Sequence, residues 1–116
     1  MQVTIYHNPG CGTSRKTLGL IEAAGIAPKV VEYVQTGWTE PQLTALLRDA
    51  GLSPQDALRR KNSPAEELGL LDADVSDETL IAAMLKHPIL VNRPIVVTPL
   101  GTALCRPSET VLPLLG

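Results

Sequence analysis

The alternation of hydrophobic and polar positions predicts two strands and a helix in the N-terminal third of the chain. Residues 3–6 alternate and read as a strand, while the mostly apolar residues 30–34 predict a second, buried strand. Between them, the apolar spacing of residues 13–24 predicts a helix that ends at Gly25. This order is that of a β-α-β unit, whose two strands pair in parallel.

The middle of the chain is predicted to be helical because capping residues precede apolar runs. Thr39 begins a capping box before a run that ends at Gly51. Ser53 begins a short helix through residue 58, and Ser63 begins another capping box. Ser76 opens a helix that is stopped by Pro88, giving the central segment as many as four helices.

The C-terminal segment predicts a hairpin and a last helix. Residues 95–98 and 103–105 are short apolar runs on either side of a turn at residues 99–101. Ser108 suggests a further helix, although Pro113 fits poorly beyond a first turn.

This order predicts an α/β fold with a mixed β-sheet flanked by helices. A parallel pair from the β-α-β part and an antiparallel hairpin from the β-β-α part give one mixed sheet, with a helical insertion between the two parts. That is a thioredoxin-like arrangement, although other α/β sandwiches share similar element orders. The length of 116 residues predicts a single domain spanning residues 1–116.

Composition excludes several classes of function. The net charge of -2 and an aromatic content of 3% without Phe argue against nucleic-acid binding. No apolar run approaches the ~20 residues of a membrane span, and no targeting segment precedes the first strand. We therefore expect a cytoplasmic protein whose Cys11 and Cys105 are thiols. The two cysteines are far apart in the chain, as are His7 and His87, so these residues lack the spacing of zinc ligands and no metal site is predicted.

Cys11 is the candidate nucleophile because it lies between the first strand and the first helix. A helix N-terminus favours a thiolate and lowers a cysteine pKa from about 8.5. We expect His7 and Arg15 to add positive charge, and Thr13 and Ser14 to donate hydroxyl hydrogen bonds. Ser14 takes the position of the second cysteine of a C-x-x-C motif, so the site is monothiol. The alternative is that Cys11 is a small buried apolar residue.

Two arginines are candidates for an oxyanion clamp. Arg93 and Arg106 each precede a proline, and a hairpin turning near Leu100 brings them to the same end of the two strands. Two guanidiniums at one sheet end suit an oxyanion. The alternative is an ordinary pairing with carboxylates, for which Glu109 is available.

Three separated motifs resemble those of the glutaredoxin-coupled arsenate reductases, the ArsC family. They are residues 6–15 around Cys11, residues 60–62 with 66–70 in the middle, and residues 87–101 continuing into 104–109. The resemblance runs nearly from end to end and follows the same order.

The resemblance implies a thioredoxin-like fold and the reduction of arsenate to arsenite. It implies no bound cofactor, glutathione as co-substrate, and glutaredoxin as the partner that completes electron transfer. It assigns Cys11 as the nucleophile, Arg60, Arg93 and Arg106 as oxyanion ligands, and Pro94 as a cis-proline facing the thiol. Arg59 adjoins Arg60, so which of the two faces the site stays open.

Two other functions fit part of this pattern. A monothiol glutaredoxin-like oxidoreductase fits the Cys11–Ser14 spacing, and an Spx-like redox regulator that binds RNA polymerase shares the fold.

We expect Cys105 not to be a resolving cysteine, because alternation along a strand points it away from the face that Arg106 occupies.

Overall fold

The computed structural model describes all 116 residues, which form two compact units. The sheet unit comprises residues 1–36 and 93–116, and the helical unit comprises residues 37–92. The strands are β1 Thr4–Tyr6, β2 Lys29–Val31, β3 Ile95–Thr98 and β4 Gly101–Leu104. The α-helices are α1 Gly12–Ala23, α2 Tyr33–Thr36, α3 Glu40–Asp49, α4 Pro54–Ala57 and α5 Asp77–Lys86, and 3₁₀ helices cover Pro88–Leu90 and Ser108–Leu115.

The four strands form one mixed sheet in the order β2-β1-β3-β4. Strand β1 pairs in parallel with β2 and antiparallel with β3, and β3 pairs antiparallel with β4. Ile5 is central to this register, opposite Val30 on one side and Val96 on the other. The predicted mixed α/β sheet with an inserted helical segment is therefore confirmed.

The second strand is shorter and more exposed than the sequence pattern predicts. Strand β2 ends at Val31, and the chain then turns into α2, where the Thr36 N–H donates to the Glu32 carbonyl at 3.1 Å. Val30 and Val34 are 42% and 39% exposed, so the expectation of a buried strand over residues 30–34 is wrong. The physical reason is that β2 lies at the edge of the sheet and pairs with β1 alone.

The core of the sheet unit lies between one face of the sheet, helix α1 and the C-terminal 3₁₀ helix. Val3 and Ile5 alternate with outward residues along β1, so both side chains point to this face. The full cluster consists of Val3, Ile5, Ile21, Val96, Cys105 and Val111. Helix α1 ends where Gly25 takes a φ of 81°, a left-handed conformation that glycine adopts without a steric penalty. Packing of α1 on this core fixes the position of its N-terminus.

The helical unit follows most of the predicted caps. Thr39 and Ser53 form capping boxes at α3 and α4, and the Ser76 hydroxyl caps α5 by accepting from the Thr79 N–H at 3.1 Å. The capping box expected at Ser63 is wrong. Its hydroxyl donates to the Arg59 carbonyl, and the segment after it forms turns instead of a helix. None of the helices has the length and apolar character of a membrane-crossing segment.

Candidate functional site

The loop between β1 and α1 holds Cys11 through a set of short-range hydrogen bonds. The Asn8 side chain accepts from the Gly10 N–H at 2.9 Å, and the Asn8 carbonyl accepts from the Cys11 N–H at 3.0 Å. The Cys11 carbonyl in turn accepts from the Arg15 N–H at 3.0 Å, which begins the helical hydrogen bonding of α1. Cys11 is thus the N-cap residue of α1, at the positive end of the helix dipole.

The Cys11 sulfur lies beside two arginines of the sheet unit. Arg106 donates through Nη1 to the Cys11 Sγ at 3.6 Å, and the same nitrogen donates to the Arg93 carbonyl at 2.9 Å. The carbonyl contact fixes the guanidinium against the sulfur. Cys11 is a free thiol and is 8% exposed.

The environment of Cys11 favours the thiolate. Burial raises the pKa of the thiol, but the Ser14 backbone N–H, the Arg106 and Arg93 side chains and the Arg93 charge outweigh it. Their combined effect lowers the pKa of Cys11 from 9.0 to about 7. At neutral pH a large fraction of the protein molecules therefore carries Cys11 as the thiolate, the nucleophilic form of the thiol.

Arg93 and Pro94 lie at the start of β3, as the sequence predicts. Arg93 is 5% exposed, and its peptide bond to Pro94 is cis. The Arg106–Pro107 bond at the end of β4 is also cis, which the sequence analysis did not anticipate. Arg93 and Arg106 therefore occupy equivalent places on the paired strands β3 and β4. The hairpin register brings these two arginines together.

His7 and Ser14 form a buried pair that differs from the expected arrangement. The His7 Nδ1 and the Ser14 Oγ are 2.6 Å apart, and Ser14 Oγ also accepts from the Asn8 N–H at 3.1 Å. Burial lowers the pKa of His7 from 6.5, and the Arg15 charge lowers it further against an opposing effect of Glu32. The expectation that His7 adds positive charge beside the thiol is therefore wrong at neutral pH. Ser14 supports the thiolate through its backbone N–H, while its hydroxyl orders the loop.

Arg15 contacts the loop that holds Cys11. Its side chain is exposed and donates through Nη1 to the Pro9 carbonyl at 2.8 Å. This hydrogen bond directs the guanidinium along the loop, and support of the thiolate by Arg15 stays a prediction.

The adjacent arginines 59 and 60 belong to the helical unit. Arg60 is exposed, whereas Arg59 is half-buried and donates through Nη1 to the Asn92 Oδ1 at 3.3 Å. The Arg59 N–H also donates to the Leu90 carbonyl at 2.7 Å, beside the bridge that pairs Leu58 with Val91. Oxyanion binding by Arg60 stays a prediction.

Cys105 lies in the hydrophobic core of the sheet unit. It is fully buried, and burial raises its pKa to about 12. The neighbouring Arg106 reaches the Cys11 sulfur, so the two consecutive side chains point to different surroundings, as alternation predicts. Cys105 is consequently a packing residue with almost no thiolate at neutral pH.

Two further residues position the site, and sequence reasoning did not assign them this role. Asn8 organises the loop, and an Asn-Pro-Gly turn directly after a strand is the signal that indicates it. Ser108 is buried and donates to the Thr13 carbonyl at 3.1 Å, which joins the start of the last 3₁₀ helix to the first turn of α1.

No group of three or more His, Cys, Asp or Glu side chains is arranged to hold a metal ion.

Comparison with known proteins gives a consistent result. The ArsC family model matches residues 6–114. The chain is 60% identical over 113 residues to the arsenate reductase ArsI2 of Synechocystis, covering 97% of this chain and 81% of that protein. It is 54% identical to the arsenate reductase of Escherichia coli strain K12, with coverage of 97% and 80%. A solved arsenate reductase from Vibrio cholerae superimposes with a TM-score of 0.91 at 43% identity, covering 98% of each chain.

Proposed function

Because this chain belongs to the ArsC family, we propose that it reduces arsenate to arsenite at Cys11, with glutathione and glutaredoxin supplying the electrons. The observation that carries this proposal is the 3.6 Å contact between Arg106 Nη1 and the Cys11 sulfur. This contact supports the proposal, because a cation beside the sulfur offsets the repulsion between a thiolate and an approaching oxyanion. Relatives that are 53–60% identical over nearly the whole chain are named arsenate reductases.

The first step is attack of the Cys11 thiolate on arsenic. A sulfur–arsenic bond forms, and one arsenate oxygen leaves as water after protonation. Thiolate and arsenate are both anions, so their approach is unfavourable unless nearby cations offset the repulsion. Arg106 and Arg93 supply this charge next to the sulfur, and guanidinium forks suit the oxygens of a tetrahedral oxyanion.

The electrons must come from thiols outside this chain. Reduction of arsenate to arsenite takes two electrons, which two thiols supply when they join as a disulfide. Ser14 occupies the place of a nearby second cysteine, and Cys105 is buried in the core with a pKa of about 12. A glutathione thiolate therefore attacks the Cys11 sulfur of the adduct: an S–S bond forms, the S–As bond breaks with its electron pair left on arsenic, and arsenite is released. Glutaredoxin then reduces the mixed disulfide of Cys11 and glutathione by thiol exchange and regenerates the Cys11 thiol.

The same requirement favours the cytoplasm as the compartment, because thiols are kept reduced there. Two arginines acting on one sulfur also favour an oxyanion reductase over a monothiol glutaredoxin-like enzyme. A monothiol glutaredoxin needs a binding groove for glutathione but no clustered oxyanion ligands beside its thiol.

The decisive experiment measures arsenite formed from arsenate by the purified protein with glutathione and glutaredoxin. Reactions that omit one component at a time identify which thiol each step needs. We expect Cys11→Ser to form no arsenite and Cys105→Ser to retain turnover. Arsenite formation by Cys11→Ser at the wild-type rate would overturn the proposal.

The arginines are compared in the same assay. We expect Arg93→Gln and Arg106→Gln to lower arsenate turnover strongly while the proteins remain folded. Arg60→Gln and Arg59→Gln test which of the two adjacent arginines is the third oxyanion ligand. Arg60 is exposed, whereas Arg59 already donates to the Asn92 side chain. A strong loss in Arg60→Gln with a mild one in Arg59→Gln is the ranking that the family resemblance predicts.

A further inference from the structure

Arg15 is a fixed cation of the site that the proposed attack on arsenate does not use. Its guanidinium donates to the Pro9 carbonyl at 2.8 Å, two residues before Cys11. Its Nη2 lies 3.8 Å from where a Cβ on Gly12 would stand, one residue after Cys11. The side chain therefore lies along the exposed outer side of the loop on both sides of the nucleophile.

Helix geometry fixes this placement. The Arg15 N–H donates to the Cys11 carbonyl at 3.0 Å, so Arg15 stands one helical turn after Cys11. Side chains four residues apart share a helix face, and a helical side chain points back toward the N-terminus. The Pro9 contact then holds the guanidinium in one direction, which reduces the entropy lost when it binds a ligand.

The chemistry of this position differs from that of Arg93 and Arg106. Those two arginines act on the sulfur itself, where the bound oxyanion must lie, whereas the Arg15 guanidinium is held on the Pro9 carbonyl. A guanidinium carries five N–H donors, and the Pro9 carbonyl engages only one of its terminal nitrogens. Its exposed edge is suited to a carboxylate that arrives with the attacking thiol, several bonds away from the reacting sulfur.

We propose that Arg15 binds a carboxylate of the external thiol and thereby selects anionic thiols such as glutathione for attack at Cys11. This inference rests on the proposed function for the source of its electrons, and it adds the residue that recognises the donor. Lys16 is not part of this subsite, since its ammonium is paired with Glu109 at 2.8 Å.

The inference is tested by thiol exchange without arsenate. Cys11 is first converted to its mixed disulfide with a neutral thiopyridine. An added thiolate attacks the Cys11 sulfur, a new S–S bond forms, the old one breaks, and thiopyridone leaves with its proton and is measured by absorbance. Glutathione and mercaptopropionate serve as anionic thiols, mercaptoethanol as a neutral thiol and cysteamine as a cationic thiol.

We expect Arg15→Gln to slow exchange with both anionic thiols by up to about fivefold, the size of an exposed charge contact. The rates with mercaptoethanol and cysteamine should not fall. For each thiol, the exchange rate constant of the variant is divided by that of the wild type. The intrinsic reactivity of the thiol cancels in this ratio, which therefore reports the effect of Arg15. Arg15→Lys should recover part of the loss, because it restores the charge without the guanidinium fork.

Lys16→Gln is the matched control, since it removes the same charge from the next residue of the same helix. Equal slowing of all thiols in Arg15→Gln would mean that Arg15 only orders the loop, and it would overturn the assignment. If Lys16→Gln slows exchange with the anionic thiols as much as Arg15→Gln does, the assignment is also overturned. The selectivity would then come from the overall positive charge of this surface and not from Arg15. Because the assay contains no arsenate, failure of wild-type arsenate turnover would count against the proposed function and not against this subsite.

Discussion

Removing the Arg106 guanidinium tests whether the sheet arginines set the reactivity of Cys11. Arg106→Gln takes away the cation whose Nη1 lies 3.6 Å from the sulfur, while Arg93 and the Ser14 N–H remain. A neighbouring opposite charge shifts a pKa by roughly one to three units. Because Arg93 and the Ser14 N–H still favour the thiolate in the variant, we expect the loss of Arg106 to raise the pKa of Cys11 by about one unit. We therefore expect the pKa of Cys11 to rise from about 7 toward that of an ordinary thiol.

The rate at a single pH is a poor measure of this change. A shift of about one unit lowers the thiolate fraction at pH 7 from about one half to about one tenth. The remaining thiolate is more basic, and a Brønsted coefficient near 0.45 makes it about threefold more nucleophilic. Together the two effects lower the reaction rate of Cys11 at pH 7 by only about twofold. At alkaline pH, where the thiol is fully ionised, the rate of the variant should reach a higher plateau than that of the wild type.

The midpoint of the pH–rate profile separates the two effects. Exchange of Cys11 with dithiodipyridine, followed as thiopyridone release, should rise with pH through about 7 in the wild type. In Arg106→Gln the midpoint should move up by about one unit. Arg15→Gln is the matched control, and its midpoint should stay near 7, because the Arg15 guanidinium is hydrogen-bonded to the Pro9 carbonyl. An unchanged midpoint in Arg106→Gln, or an equal shift in both variants, would show that the Arg106 charge does not set the pKa of Cys11.

Three other predictions follow from the same contacts. In the folded protein one thiol per chain should react rapidly with dithiodipyridine and a second only after unfolding, because Cys105 is fully buried with a pKa of about 12; two rapidly reacting thiols would contradict this. Cys105→Ser should lower the free energy of unfolding by about 1–3 kcal/mol in chemical denaturation, since it puts a hydroxyl into an apolar cluster, yet keep its arsenate turnover per folded molecule. Ser14→Ala should cost about 1–3 kcal/mol in the same measurement, because the Asn8 N–H loses its acceptor and His7 loses its partner; Thr13→Ala, at a partly exposed hydroxyl of the same turn, should cost less.

Local sequence determined where most helices begin and end. The caps at Thr39, Ser53 and Ser76 form through hydrogen bonds that span three residues, so the residues involved can be read from the sequence alone. Gly25 marks the end of α1 for an equally local reason. Ser63 has the same local signature, and its hydroxyl accepts from the Ala65 N–H at 3.3 Å and donates to the Arg59 carbonyl, but the segment after it forms turns and not a helix. A capping hydrogen bond does not by itself produce a helix, because most of the stability of a helix comes from tertiary packing.

Sequence also determined the place of Cys11, the proposed nucleophile. A cysteine between a strand and a helix must stand near the helix N-terminus, and Cys11 is the N-cap of α1. The hairpin pattern placed Arg93 and Arg106 at the same sheet end because antiparallel register follows from the turn.

Only the tertiary structure decided which charged groups act on the sulfur. Arg106 touches Cys11 from 95 residues away in the chain, whereas the side chain of Arg15, only four residues away, is hydrogen-bonded to the Pro9 carbonyl. His7 is close in sequence too, but burial lowers its pKa and leaves it neutral at neutral pH. A pKa depends on solvent exclusion and on distances of a few ångströms, and chain packing sets both. Sequence spacing therefore located Cys11, the proposed nucleophile, and packing selected the cations that lie beside its sulfur.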